Sequence, residues 1–326
     1  MIPATIRAFR IEAPDQPGHR VELAAEQLGK GPIVVRVAYS SVNYKDALAG
    51  TGRGKILRRF PLVGGIDLSG HVVESHDPRF REGDAVLATG TGLSETRDGG
   101  YAEYARLEPD NLVPLPAGLD LREAMILGTA GFTAGLALLR LEANGQRPSL
   151  GPLLVTGASG GVGSLAVAVF SRAGYEVHAV SGKPEQAAFL RQLGATQVMG
   201  RDLLDSVRPL ESAIFGGGLD TVGGSLLPAL LARTVPYGSV ASAGLVAGAD
   251  LATSVMPFII RGVSLLGVAS AGCPRELRER VWARLATDWK PSLEQVVDRS
   301  VGLDELPEAF ERLLAGRAVG RTLVVV

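Results

Sequence analysis

Residues Leu153 to Gly163 read Leu-Leu-Val-Thr-Gly-Ala-Ser-Gly-Gly-Val-Gly, and Ser164-Leu-Ala-Val-Ala-Val-Phe170 continues from them. The apolar run predicts a short buried strand, the glycines a tight turn, and the segment beyond a helix. A turn of this kind aims unpaired helix N-terminal N–H groups at an anion, and glycine lets a pyrophosphate approach the backbone closely. A lone glycine pattern is weak evidence, since an ordinary strand-to-helix turn reads the same way. Here a second run, Glu176-Val-His-Ala-Val180, arrives at the spacing of a βαβ unit. Its end discriminates between dinucleotides. An acidic residue there would bond the ribose 2′-OH of NAD, but this chain has Ser181-Gly182-Lys183. A hydroxyl, a flexible glycine and a cation suit the 2′-phosphate of NADP instead. Ser159, Gly160, Gly161 and Val162 are therefore assigned to the pyrophosphate, and Ser181, Gly182 and Lys183 to the 2′-phosphate of NADPH.

With 326 residues the chain is long enough for two domains, each with its own core. Its 42 glycines are almost twice the average usage of roughly 7 %, which favours turns and strands over a helical bundle. A net charge of −1 and a pI of about 6.5 give no basic stripe for nucleic acid or lipid. The sole cysteine, Cys273, excludes an intramolecular disulfide and a cysteine-rich zinc site. The longest uncharged run, between Arg147 and Arg172, is broken by Pro152 and the glycine cluster, whereas a membrane span needs about 20 continuous apolar residues. Arg7 and Arg10 have no long apolar region behind them, so no secretory signal is expected. The expectation is a soluble, cytoplasmic protein.

Residues 1 to about 118 read as β-rich, with short β-branched runs at 34–38, 70–74 and 84–88 separated by Gly and Pro. Pro114-Leu-Pro-Ala-Gly118 marks a boundary, and a helical stretch from Arg122 to Leu141 follows. From Leu153 strands are expected at 153–156, 176–181, 196–199, 219–222, 238–243 and 263–268. Helices are expected at 161–173, 184–193, 224–233 and 274–287. Such alternation predicts a doubly wound parallel sheet covered on both faces. The terminal run Gly320-Arg-Thr-Leu-Val-Val-Val326 is expected to return to the first domain as a strand. Trp282 and Trp289, seven apart, are placed on one helical face as core or a packing seam.

Further segments carry a family resemblance: Ser40-Ser-Val-Asn-Tyr-Lys-Asp-Ala47, Pro61 to Gly70, Gly99-Gly-Tyr-Ala-Glu-Tyr104, Gly128 to Ala134, Asp220-Thr-Val-Gly-Gly224 and Arg261 to Gly267. With the glycine turn they cover nearly the whole chain. It resembles the zinc-independent quinone oxidoreductase branch of the medium-chain dehydrogenase/reductase superfamily, and within it the acrylyl-CoA reductase (YhdH/AcuI-type) subgroup. The resemblance implies an α/β protein with a GroES-like β-barrel catalytic domain (1–118 and 296–326) and a Rossmann doubly wound domain (119–295) that binds NADPH. The cofactor is expected between them, and a homodimer through the sheet edge at 263–268. Two departures stand out: Gly64-Gly65 replaces a more usual Pro-Gly, and Gly316-Arg317-Ala318 lacks an asparagine common before the terminal strand.

Zinc relatives carry Gly-His-Glu where this chain has Gly65-Ile66-Asp67, and His19, His71, His76 and His178 show no ligand spacing. Without a Lewis acid, hydride donation to an activated double bond fits better than alcohol oxidation. Such a site must hold the hydride donor about 3–3.5 Å from the β-carbon and stabilise an enolate. The resemblance places Tyr44 beside the nicotinamide, where its phenol would donate a proton or orient a water; simple packing is the other reading. Asn43 and Asp46 are read as fixing loop geometry, and Lys45 as a solvated charge or a contact for an acidic group of the substrate. Arg201, after the third strand, is either a further 2′-phosphate contact, as the resemblance suggests, or a surface charge. Leu245, Ile259 and Ser270 are assigned by resemblance to the nicotinamide half, although Leu245 and Ile259 would serve equally as core. Arg53, Lys55, Arg58 and Arg59 form a cationic loop, read either as solvated surface or as the mouth of a site for an acyl-CoA. The activity expected is NADPH-dependent reduction of the C=C bond of α,β-unsaturated carbonyl compounds, acrylyl-CoA first. The alternatives are a quinone reductase and a non-catalytic NADPH-binding protein.

Overall fold

The computed structural model describes residues 2–204 and 208–326. The chain forms two compact units: residues 1–129 with 271–275 and 297–326, and residues 130–270 with 276–296. The first division falls at 129/130 rather than at 118/119. Ile126 and Thr129, beyond the Pro-Gly boundary, are hydrogen-bonded to Arg321 and Asp67 of the first unit.

The first unit is built on two antiparallel-rich sheets. A three-stranded sheet runs in the order His19–Ala24, Thr5–Ile11, Leu62–Val63. The larger sheet runs Val297–Val301, Arg321–Val325, Ile33–Val42, Asp67–Ser75, Ala85–Thr89, Val113–Pro114, with Tyr104–Leu107 also paired to Ile33–Val42. The C-terminal run is a strand, as its β-branched residues predict. It pairs antiparallel with the third strand of the chain, Thr322 opposite Val42 and Leu323 opposite Ser41. That register carries Arg321 to the Val42–Asn43 corner. Phe9, Tyr101 and Phe310 meet edge-on or tilted, 5.6 to 6.3 Å between centroids, in the apolar core under the helix Tyr44–Gly50.

The second unit holds a six-stranded, fully parallel sheet in the order Ala195–Met199, Val177–Val180, Leu153–Thr156, Phe215–Asp220, Thr234–Ser242, Ser264–Gly267. Leu153–Thr156 and Val177–Val180 are buried at every residue, which is why they read as largely apolar runs, with only Thr156 and His178 polar. The strand order reverses between Leu153–Thr156 and Phe215–Asp220. Such a switch point opens a crevice at the carboxyl ends of the strands.

Two expectations are corrected here. The fourth strand spans Phe215–Asp220, not 219–222. Its Gly216-Gly217-Gly218 lies inside the strand, and all six residues are buried. A Cβ on Gly217 would lie 2.2 Å from the Ser239 carbonyl oxygen, and one on Gly218 2.3 Å from that of Leu154. Glycine serves close packing in this strand, not chain reversal. Trp282 and Trp289 do not share a helix, because the helix ends at Leu285. Both rings are nonetheless buried, Trp282 stacked on Phe132 at 6.0 Å and Trp289 under the Arg284 guanidinium at 3.9 Å.

The helix Leu121–Ala143 is long and apolar enough to cross a membrane by length and composition, and 89 % of its most apolar window is buried inside the protein. It is a core helix. Gly128 interrupts its helical geometry at φ 49°, ψ −154°.

The Gly218→Val variant should lose about 2–3 kcal/mol of stability, because the carbonyl it strikes belongs to a central strand and cannot withdraw. Denaturant unfolding of both proteins checks this; an unchanged midpoint would contradict it.

Candidate active site

At the switch point of the parallel sheet, Gly157 turns the chain at φ 60°, with Thr221 and Val222 packed where its side chain would stand. Gly160 is the N-cap of the helix Gly161–Arg172. A Cβ on Gly163 would fall 2.2 Å from the Gly157 carbonyl oxygen, so the helix can seat this closely only as glycine. Gly160 N–H donates to Gly157 and Ser164 N–H to Gly160, while the amides of Gly161, Val162 and Gly163 have no acceptor among the described residues. These donors stand at the positive end of the helix dipole, a place for an anion. The adjoining strand end is held by Asp220, fully buried, which accepts from Thr156 Oγ1 (2.6 Å) and from the amide of Gly223 (2.8 Å). Burial raises its pKa.

The neighbouring strand ends gather the residues assigned to the 2′-phosphate. Ser181 Oγ lies 3.0 Å from Ser159 Oγ and accepts the Lys183 amide at 3.1 Å. The Ser181 amide donates to Met199, so the second and third strands are tied where they end. The Arg201 guanidinium lies over Gly182, with Nε 2.8 Å from where a Cβ would be. Ser159, Ser181, Gly182, Lys183 and Arg201 thus form one group, two hydroxyls and an exposed guanidinium around a residue with no side chain. This chemistry fits a phosphomonoester, and the free helix amides fit a diphosphate. Leu245 and Ile259 are not core, being 65 % and 75 % exposed. Leu245 follows the fifth strand with its backbone against Gly223. Ile259 lies on the helix Met256–Arg261. Ser270, beyond the sixth strand, is half-buried and accepts from Arg278 Nη2 at 3.1 Å through its carbonyl.

In the first unit Tyr44 opens the helix Tyr44–Gly50, 40 % exposed, its hydroxyl without a partner among the described residues. Behind it lies a buried polar network. Asp67 is fully buried and accepts four hydrogen bonds: Ser41 Oγ (2.6 Å), Asn43 Nδ2 (2.8 Å), the Thr129 amide (2.9 Å) and Thr129 Oγ1 (2.6 Å). Asp46 accepts from the Asn43 amide (2.9 Å), from Asn43 Nδ2 (3.0 Å) and from the Ile66 amide (2.9 Å). Asn43 caps the helix and joins the two carboxylates through one amide nitrogen. Its Oδ1 accepts from Arg321 Nη1 at 3.3 Å, and the same guanidinium binds the carbonyls of Ile126 (2.9 Å) and Val42 (3.1 Å). A Cβ on Gly128 would come within 2.9 Å of Asp67, Ser41 and Arg321 together, which explains the helix kink there. Burial, then the Asp67 charge, push Asp46 up to about 7.

Asn43 and Asp46 do fix the loop, as read from sequence. Lys45 is not a solvated charge: its Nζ lies 2.5 Å from Glu95 Oε2, and Arg58 Nε is 3.0 Å from the other oxygen of that carboxylate. Those two cations hold the Glu95 carboxyl below its ordinary range. Sequence reasoning missed Asp67, Thr129, Ser41 and Arg321. Ser41, Asp67 and Thr129 stand inside motifs that carry the resemblance and Arg321 in the terminal strand, but nothing in the spacing shows that they converge. Gly64 and Gly65 form a firm turn without proline, since the Tyr101 and Gly100 amides donate to their carbonyls at 2.9 Å and the Tyr101 ring covers both. Among the described residues no group of three or more His, Cys, Asp or Glu is placed to hold a metal ion. His76 pairs with Glu74 at 3.3 Å and His178 with Glu176 at 2.9 Å.

Comparison with known proteins gives this architecture a class. The alcohol dehydrogenase GroES-like domain family matches residues 29–117, and the zinc-binding dehydrogenase family matches residues 161–287. The chain belongs to the medium-chain dehydrogenase/reductase superfamily and matches its AcuI-type subgroup. It is 46 % identical over 307 residues to the acrylyl-CoA reductase AcuI of Ruegeria pomeroyi, covering 94 % of this chain and 93 % of that one. It is 48 % identical over 315 residues, 96 % of each chain, to YhfP of Bacillus subtilis, whose name proposes a quinone oxidoreductase. The crystal structure of Bacillus subtilis yhfP with NAD bound superposes with a TM-score of 0.97 at 45 % identity, covering 99 % of this chain and 100 % of that one. That of the yhdH oxidoreductase from Salmonella enterica in complex with NADP does so at 0.94 and 45 %, covering 99 % of each.

The raised Asp46 has a consequence for stability. Its folded value, about 7, lies above the ordinary 3.8, so the folded protein holds an extra proton between those pH values. Stability therefore falls as pH rises through that window and levels off above it. Asp46→Asn should be less stable throughout, because its NH2 sets donors against either the Asn43 or the Ile66 amide, yet its stability should fall less between about pH 4 and 7 than that of the wild type. Denaturation midpoints across that range measure the difference; parallel curves would refute it.

Proposed function

We propose that this protein is an NADPH-dependent reductase of the C=C bond in α,β-unsaturated acyl-CoA thioesters, with acrylyl-CoA as the first substrate to test. The observation that carries the reading is the resemblance at 46 % identity over nearly the whole chain to an acrylyl-CoA reductase. The grouping of Ser181, Gly182, Lys183 and Arg201 supports NADPH as the cofactor. Bound there, NADPH supplies the hydride. The free amides of Gly161, Val162 and Gly163 hold the diphosphate, and Ser181, Lys183 and Arg201 hold the 2′-phosphate. As hydride reaches the β-carbon, the π electrons of the double bond move onto the thioester oxygen. The enolate then returns its electron pair to the α-carbon, which takes a proton from the Tyr44 hydroxyl, and water restores that proton. The Asn43 cap, pinned by Asp46 and Asp67, fixes the backbone from which Tyr44 projects. Leu245, Ile259 and Ser270 complete the nicotinamide half.

Quinone reduction is the second reading, favoured by the name of YhfP and needing no proton at carbon. A homodimer in the cytoplasm fits the same reading. The strand Ser264–Gly267 ends the parallel sheet, and Tyr237, Val255 and Ile260 leave apolar surface exposed in the same unit.

Absorbance at 340 nm with acrylyl-CoA, a simple quinone and each nicotinamide cofactor tests the proposal. Turnover with acrylyl-CoA and NADPH, and little with NADH, is expected; Arg201→Ala should raise KM for NADPH about ten-fold and leave that for NADH nearly as it was. Turnover with the quinone alone would move the function to the second reading, and turnover with neither acceptor would leave a binding protein. Tyr44→Phe should lower kcat about a hundred-fold with little change in KM for NADPH if the phenol delivers the proton; a kcat near wild type would reduce Tyr44 to packing.

A further inference from the structure

We infer that Lys55 and Arg59 form a recognition site for the phosphates of a coenzyme A thioester, so that the loop after the Tyr44 helix selects the handle of the substrate rather than its reacting end. The inference rests on the acyl-CoA reading above and names residues that this reading leaves without a role.

Five cations stand between positions 45 and 59: Lys45, Arg53, Lys55, Arg58 and Arg59. Three are paired with carboxylates. Arg53 forms a two-pronged pair with Glu311 at 3.0 and 2.6 Å, and Glu95 holds Lys45 and Arg58 together. The one carboxylate in the stretch, Asp46, is buried and turned toward Asn43 and Ile66. Lys55 and Arg59 remain, exposed and with no acceptor among the described residues.

These two side chains do not hang from a slack loop. The Arg53 amide donates to Leu48 at 3.0 Å, that of Ile56 to Gly54 at 2.9 Å, and that of Arg58 to Glu95 at 2.8 Å. Leu57 is buried between them, and Ile56 and Phe60 pack on the apolar core of the first unit. The Glu95 clamp also fastens the loop to Lys45, the residue after Tyr44. The backbone under Lys55 and Arg59 is therefore fixed relative to the proposed proton donor, while the charges face water. In a chain of net charge −1, an uncompensated pair on a rigid base, tied through Glu95 to the residue after Tyr44, is a place for an anion.

Coenzyme A supplies one. It carries a diphosphate and a terminal phosphomonoester, separated from the thioester by the long pantetheine arm. Cations that read it must lie away from the reacting carbon; Lys55 and Arg59 follow Tyr44 by 11 and 15 positions in the chain. A guanidinium meets a phosphate with two parallel hydrogen bonds and an ammonium meets it as a point charge, so Arg59 and Lys55 are suited to different parts of the anion.

The test compares acrylyl-CoA with acrylyl-N-acetylcysteamine, which has the same reacting end and no phosphate. The Lys55→Ala/Arg59→Ala variant should lose about ten-fold or more of the wild-type preference for the CoA thioester in kcat/KM, through KM. The wild-type KM for acrylyl-CoA should climb with ionic strength, and the variant's should climb less. Arg81→Ala, which removes an exposed charge elsewhere in the same unit, should leave the preference as it was. A variant that keeps the wild-type preference overturns the inference while the reductase reading stands. If neither thioester is reduced, the reductase reading fails, and calorimetric titration with free coenzyme A decides the site alone: equal affinity in wild type and variant overturns it.

Discussion

The carboxylate of Asp67 is the interaction on which the first unit depends. It is fully buried and accepts four hydrogen bonds, from Ser41, Asn43 and twice from Thr129. A buried carboxylate left without such donors would cost several kcal/mol, so each donor is held in place by the need to meet it. Ser41 ends a strand, Asn43 caps a helix, and Thr129 lies just beyond the Gly128 kink of another. One oxygen pair thereby aligns three elements from distant parts of the chain. Arg321 extends the set by binding the carbonyls of Val42 and Ile126 and the Asn43 side chain, which brings in the C-terminal strand. Burial, and after it the nearby Asp67 charge, push the Asp46 pKa up to about 7. Two ionised carboxylates sharing one asparagine would repel in a medium that screens them poorly.

The second unit is organised by close approach instead. The glycines of the Gly157–Gly163 turn let a helix sit directly on a strand end, and those of Phe215–Asp220 let two neighbouring strands close on a third. Only the first set lies at a carboxyl end of the sheet, where the amides of Gly161, Val162 and Gly163 are left without acceptors among the described residues. The same residue type does two jobs in this unit, and sequence pattern alone separates them poorly. Glycine in a turn and glycine in a crowded strand look alike until the neighbouring backbone is placed.

How much could be read from the chain follows from the range of the interaction involved. The turn at 157–163, the Ser181-Gly182-Lys183 strand end and the Asn43–Asp46 cap are local: their partners are within a few tens of residues, and the residue types carry the geometry. Lys45 was read as solvated because its partner, Glu95, is 50 residues away and no periodicity links them. Trp289 was placed on a helix that stops four residues before it. The Asp67 network was invisible for the same reason: Arg321 and Asn43 are 278 positions apart.

The sequence by itself determined the parallel-sheet architecture, the glycine turn after its first strand and the hydroxyl- and cation-bearing end of the second. Buried strands must be apolar, tight turns must be glycine, and an NAD-type acid at 181–183 is simply not there. Only the tertiary structure decided which cations are spent and which are free, and which acid keeps its proton. Pairing and desolvation depend on distances between residues remote in the chain, and those distances are set by packing, not by spacing.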